Sequence, residues 1–111
     1  MMKRVLVFDD EPLILKSIEK ALTRVGFDVT TVRDRDGFEE KLRDNLFSLL
    51  IFDLHIPGIT KEEIMELASV ANPGIRFLII SGSDETEEIP FIRKPFQINE
   101  LRKKVKEILN V

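Results

Sequence analysis

The sequence predicts an α/β domain in which a parallel sheet is covered by helices on both faces. Three observations predict it. The runs Val5-Leu6-Val7-Phe8, Leu49-Leu50-Ile51-Phe52 and Phe77-Leu78-Ile79-Ile80 are apolar without alternation, as strands buried on both sides of a sheet must be. Segments with helical periodicity lie between them. The resulting alternation of strand and helix is that of a doubly wound parallel sheet.

Taken in order, Val5 to Phe8 form the first buried strand. Leu15, Ile18, Leu22 and Val25 then fall on one helical face, and Gly26 stands where that helix ends. Val29 to Val32 read as a shorter strand at an edge, and Phe38 with Leu42 mark a second helix. After the buried run Leu49 to Phe52, Thr60 and Glu63 have capping-box spacing ahead of Ile64, Leu67, Ala68 and Ala71. Asn72-Pro73-Gly74 stops that helix before the run Phe77 to Ile80. Ile89 to Ile92 are expected to form a second edge strand, since Pro90 has no amide to give to a central ladder. Ile98, Leu101, Val105 and Ile108 make the apolar stripe of a C-terminal helix.

Composition narrows the function classes. The 111 residues suit one compact domain, and a single domain over 1–111 without an output domain is expected. With 17 Lys plus Arg against 20 Asp plus Glu, the formal charge is −3, which offers no electrostatic case for nucleic-acid binding. The chain has no cysteine and one histidine, which excludes disulfides, thiolate metal sites and multi-histidine metal sites within one chain. Its apolar runs are far shorter than the roughly 20 residues that span a bilayer. Met1 to Arg4 lack the apolar stretch of a signal peptide. A cytoplasmic protein that does not insert into membranes is therefore expected.

The strand ends carry the chemistry. The first buried run leads into Asp9-Asp10-Glu11, the second into Asp53, the third into Ser81-Gly82, and the last edge strand into Lys94-Pro95. Open α/β sheets bind ligands at the carboxyl ends of their strands. Four strands thus bring carboxylates, a hydroxyl and an ammonium to one rim. Clustered carboxylates repel and need a cation or protons, and oxygen ligands of this kind suit Mg²⁺, which takes further ligands from water and phosphate. Each residue also has a plainer reading. Asp10 could cap the helix near Pro12, Asp53 and Ser81-Gly82 could be turn residues, and Lys94 could be a solvated charge. Those readings give no reason for four strand ends to carry matching chemistry.

Together these residues resemble the response-regulator receiver family over essentially the whole chain. The marks are Asp9-Asp10, Asp53 within Phe52-Asp53-Leu54-His55-Ile56-Pro57-Gly58, Ser81, and Lys94-Pro95-Phe96, in that order. The resemblance implies a flavodoxin-like five-stranded sheet of order 2-1-3-4-5 and a Mg²⁺-dependent phosphoacceptor switch. Asp53 would be the nucleophile, taking a phosphoryl group from a sensor histidine kinase or phosphotransfer protein. Asp10 and Asp53, with Asp9 directly or through water, and the His55 backbone carbonyl would hold the metal. Lys94 would pair with Asp53 and then with a phosphoryl oxygen, and Ser81 would hydrogen-bond another. Phe91 would be the ring that turns inward behind Ser81, against the plainer reading of core packing. The Lys94-Pro95 bond would be cis. The His55 side chain, with Ser83, would affect the lifetime of the acyl phosphate, or both would be solvated loop residues. The chain would catalyse only its own phosphorylation and dephosphorylation, and would signal to an output protein not identified by the sequence.

Two departures from the family pattern bear on this. Lys61 stands where a glycine usually follows the Pro-Gly turn, with Thr60 ahead of it as a helix cap. Gly82 to Glu88 leave room for about one to two turns of helix, so the fourth helix of the family is expected to be truncated or absent. The usual output face is then altered, and Asp84 to Glu88 become a solvated acidic loop or a docking patch. The shortening motivates a second reading, a receiver-like scaffold that binds a partner without phosphorylation. A third, a Mg²⁺-dependent aspartyl phosphatase, typically needs an acid two positions after the nucleophile, where this chain has His55.

Overall fold

The structure is a computed structural model that describes residues 2–82 and 89–111. Five parallel strands, β1 (Arg4–Phe8), β2 (Asp28–Val32), β3 (Leu49–Asp53), β4 (Arg76–Ser81) and β5 (Phe91–Arg93), form one sheet in the order β2-β1-β3-β4-β5. Helices α1 (Pro12–Thr23) and α4 (Ile98–Leu109) cover one face, and α2 (Arg35–Asp44) and α3 (Lys61–Ala71) cover the other. The chain order reverses direction between β1 and β3, where an open sheet of this kind leaves its binding crevice.

The uninterrupted apolar runs are explained by the two cores. Val5, Val7, Leu49, Ile51, Leu78 and Ile80 point to the α1/α4 side, where they meet Leu15, Ile18, Leu22, Leu101 and Val105. Leu6, Phe8, Leu50, Phe52 and Ile79 point to the α2/α3 side and meet Phe38, Leu42, Ile64 and Ala68. Successive strand residues alternate faces, so a strand covered on both sides must be apolar at every position. On the α2/α3 side Phe8 and Phe38 stack with ring centroids 4.6 Å apart.

Helix ends follow from local chemistry. Gly26 adopts φ +96, and the amides of Gly26 and Phe27 donate to Thr23 and Leu22, a paired arrangement that ends α1 where glycine was expected to end it. Val25 therefore lies past the helix and is only partly buried. Asp34 caps α2 by accepting from the Gly37 amide at 2.8 Å. Thr60 and Glu63 form the expected capping box on α3, with bonds of 3.1 and 3.0 Å.

Two details differ from expectation, and one of the plainer readings fails. β5 covers Phe91–Arg93 rather than Ile89 to Ile92. Pro90 stands just before it and contributes only its carbonyl, which accepts from the Ile79 amide at 2.9 Å, the one ladder role a proline can fill. In α4 the buried positions are Leu101, Val105 and Leu109, while Ile98 at the helix start is exposed and Ile108 only partly covered. Asp10 does not cap α1. The N-cap is Glu11, without a side-chain bond, because Asp9 turns its own carboxylate onto the Glu11 amide at 2.9 Å. Among the described residues no helix lies between β4 and β5. Ser83 and the acidic stretch from Asp84 to Glu88 lie outside the described residues.

The α3 cap closes the loop that follows Asp53, so its loss has a measurable cost. Thr60→Ala is expected to lower unfolding free energy by about 1 kcal/mol in urea denaturation. An unchanged midpoint would contradict the cap's contribution.

Candidate functional site

The sheet delivers the site residues. Asp9 directly follows β1, and its amide donates to the Val32 carbonyl at 3.2 Å, extending the β1–β2 ladder by one bond. Asp53 is the last residue of β3 and registers with Ile80 of β4. Ser81, the last residue of β4, therefore stands one position further out on the neighbouring strand, fully buried. Ser81 registers with Arg93, and its carbonyl accepts from the Lys94 amide at 2.8 Å. Lys94 is thus fixed at the backbone to the end of β4 before its side chain reaches across the rim.

That side chain organises the site. Lys94 Nζ lies 2.9 Å from Asp9 Oδ2, 3.1 Å from Glu11 Oε2 and 3.4 Å from Asp53 Oδ2. Asp9 and Asp53 are buried and the Lys94 side chain is 14% exposed. Burial by itself would lower the lysine's pKa. Hydrogen bonds to Asp9 and Glu11, with the charges of Asp9 and Asp53, outweigh it and hold the ammonium well above the ordinary lysine range. Lys94 is a fixed cation at any physiological pH.

Asp9 has the opposite problem. Burial pushes its carboxyl above the usual carboxylate range, and the Asp53 charge adds to the rise. The bonds from Lys94 and the Glu11 amide pull it back only in part. Lys94 meets three carboxylates, from Asp9, Glu11 and Asp53, and Asp10 stands beside two of them, so the carboxylates gathered here outnumber the ammonium that bonds them.

Ligand atoms of Asp9, Asp10 and Asp53 all lie within 4.8 Å of one another. Two of these residues are buried and Asp10 is exposed at the mouth. A set of hard carboxylate donors with an open side fits Mg²⁺, which prefers carboxylates plus water or phosphate to a closed protein cage.

Other expected residues sit around this centre. His55 is exposed, and its backbone amide donates to Asp53 Oδ1 at 3.4 Å. Phe91 is half-buried on β5, opposite Ile79, and packs against the α2/α3-side core. The Lys94-Pro95 peptide is cis.

Two residues with a part in the site were not singled out by sequence. Glu11 was visible as the third acid of its run, yet nothing in that run says its carboxylate turns back onto Lys94. Arg35 at the start of α2 donates to the Gly58 carbonyl at 3.2 Å and pairs with Glu39 and Glu63. It braces the loop after Asp53 against two helices. Its pair with Glu39 is a local i,i+4 contact, but Gly58 and Glu63, the partners that make it a brace, lie 23 and 28 positions away.

The family model of the response regulator receiver domain matches residues 5–106. The response regulator receiver protein CpdR of Brucella abortus is 26% identical over 117 residues, covering 97% of this chain and 98% of that protein. The two-component response regulator ORR23 of rice is 31% identical over 110 residues, 89% of this chain but 16% of that longer protein. Among solved structures, a CheY-like receiver domain protein from Methanospirillum hungatei superposes with a TM-score of 0.89 at 27% identity, covering 99% of this chain and 95% of its own. The receiver domain of the hybrid histidine kinase CckA gives 0.86 at 26% identity, covering 96% and 98%.

The electrostatics of Asp9 set a testable pH dependence. A carboxyl whose pKa rises on folding contributes stability that is complete below its unfolded value, about 3.9, and is lost as pH rises through the folded value. In chelator, Asp9→Asn is therefore expected to be more stable than the parent at pH 7 in urea denaturation. The difference should shrink toward pH 4. A variant less stable at pH 7 would contradict the burial penalty assigned to Asp9.

Proposed function

The chain belongs to the response regulator receiver domain family, and on that premise we propose that it is a phosphoacceptor switch of a two-component or phosphorelay system, with Asp53 as the phosphorylated residue. The observation that carries this reading is the convergence of Lys94 Nζ with the carboxylates of Asp9 and Asp53 at the strand ends. Phosphoryl transfer asks a protein mainly for positioning and charge stabilisation, and this arrangement supplies both around one carboxylate oxygen.

Asp53 Oδ attacks the phosphorus of a phosphohistidine on a sensor histidine kinase or phosphotransfer protein. The new P–O bond forms as the P–N bond breaks, and the imidazole leaves with the electron pair. Lys94, already beside Asp53, moves its ammonium onto a phosphoryl oxygen. Ser81 on the adjacent strand end donates its hydroxyl to another, and Phe91 behind it turns inward as Ser81 shifts. His55, exposed beside Asp53, modulates acyl-phosphate lifetime, and the same role is proposed for Ser83, which lies outside the described residues. Asp9, Asp10 and Asp53, with the His55 carbonyl, would hold Mg²⁺, which when bound neutralises phosphoryl oxygens while Asp53 stays ionised.

The domain acts as a signalling switch that catalyses only its own phosphorylation and dephosphorylation. Residues 1–111 work as a single receiver unit that passes the signal to an output protein by protein–protein contact. A cytoplasmic location suits a kinase donor, and no helix among the described residues is long and apolar enough to cross a membrane.

With Mg²⁺ and acetyl phosphate, intact mass is expected to rise by one phosphoryl group. Asp53→Ala and chelator should each abolish the gain. Lys94→Ala should slow it by about 10²- to 10³-fold, the usual cost of removing one oxyanion-stabilising donor. Modification undiminished in Asp53→Ala would overturn the assignment.

A further inference from the structure

Lys94 is shared unequally in this structure. Its ammonium sits 3.1 Å from Glu11 and 3.4 Å from Asp53. Glu11 is 58% exposed where Asp9 and Asp53 are buried. Its backbone is held in place, because the Glu11 amide donates to Asp9 Oδ1 at 2.9 Å and its carbonyl accepts from Ile14 and Leu15 in the first turn of α1. With its backbone anchored in this way and its side chain exposed, the Glu11 carboxylate stands on the solvent side of the ammonium. Asp9 holds Lys94 from within, while Glu11 holds it from without.

We infer that Glu11 is a specificity-determining residue for the phosphodonor: it competes with incoming phosphoryl oxygens for Lys94 and so disfavours small, strongly anionic donors. This rests on the proposed phosphoacceptor role of Asp53. When acetyl phosphate reacts, Asp53 Oδ forms the new P–O bond, the bond from phosphorus to the acetyl oxygen breaks, and acetate leaves with its electron pair. Before that, Lys94 must exchange the Glu11 carboxylate for a phosphoryl oxygen. The exchange is hardest for a dianionic phosphoryl group, which depends most on the ammonium and is repelled most by the carboxylate beside it. Phosphoramidate reacts as ⁺H₃N–PO₃²⁻, so its cationic nitrogen offsets one phosphoryl charge, its net charge is −1, and the Glu11 carboxylate repels it less.

The test compares wild type, Glu11→Gln and Glu11→Asp in Mg²⁺, with acetyl phosphate and phosphoramidate, following intact mass against time. Glu11→Gln is expected to speed modification by acetyl phosphate about three- to tenfold, the scale of one partly exposed charge pair, and to change the phosphoramidate rate much less. Glu11→Asp keeps the charge on a side chain one methylene shorter, so loss of the contact predicts a gain toward that of Glu11→Gln, reduced by the repulsion that remains. Glu11→Asp behaving as wild type would place the effect in charge alone and overturn the competition. A donor-free readout is exchange of the Lys94 ammonium protons with water, measured by NMR on metal-free protein at fixed pH. It should be faster in Glu11→Gln, and unchanged exchange would overturn the contact. If wild type takes no phosphoryl group from either donor, the phosphoacceptor reading falls, and proton exchange still decides whether Glu11 holds Lys94. If wild type is modified and Glu11→Gln shows no donor-dependent gain, this inference falls alone.

Discussion

The ammonium of Lys94, set among Asp9, Glu11 and Asp53, is the interaction on which the rest of the site depends. Two buried carboxylates on adjacent strands carry a heavy desolvation cost unless charge and hydrogen bonds offset it. Lys94 supplies the charge, and its placement is a backbone matter before it is a side-chain one. Its amide is bonded to the Ser81 carbonyl, so the short strand β5 is locked to β4 at the level where the ammonium has to start. A strand of three residues has little other reason to be held so firmly.

Rigidity beneath the rim makes this possible. β1, β3 and β4 are apolar on both faces and packed between two helical layers, so their carboxyl ends are fixed relative to one another. Short connections then turn those ends into chemistry: Asp9 bonds the first amide of the turn into α1, and the capped start of α3 with the Arg35 brace closes the loop after Asp53. The Lys94 ammonium is shared among three carboxylates, and Asp10 adds a fourth beside Asp9 and Asp53. That gathering of carboxylates around one ammonium makes a dication and a phosphoryl group the natural complements of the site.

Much of this was legible in the sequence, and what was missed shares a cause. Strands buried on both faces leave uninterrupted runs such as Leu49 to Phe52, and the acids and lysine that follow such runs must lie on one rim whatever the loops do. Hence a doubly wound sheet and the grouping of Asp9, Asp10, Asp53 and Lys94 could be anticipated from the runs, while the strand order was implied by the family resemblance. The limits of β5 could not, because Ile89 and Phe91 look equally strand-like and only the ladder from Ile79 to the Pro90 carbonyl decides where pairing starts. Ile98 reads as part of an apolar stripe, yet the first turn of α4 extends past the core and exposes it. Side-chain direction is the other hidden quantity. Glu11 reads as one acid in a run, and its reach back to Lys94 depends on a turn that Asp9 shapes through its own carboxylate. Arg35 reaches Gly58 and Glu63 beyond α2, where no local pattern reports them.

The most direct measurement of the central claim is a crystal structure with Mg²⁺ and beryllofluoride. The expected result is beryllofluoride on Asp53, with the metal among Asp9, Asp10 and Asp53 and the Lys94 ammonium moved from Glu11 onto a fluoride. Beryllofluoride absent from Asp53, or Lys94 still resting on Asp9 and Glu11 with the ligand in place, would contradict the claim that this ammonium and these carboxylates form a phosphoryl site.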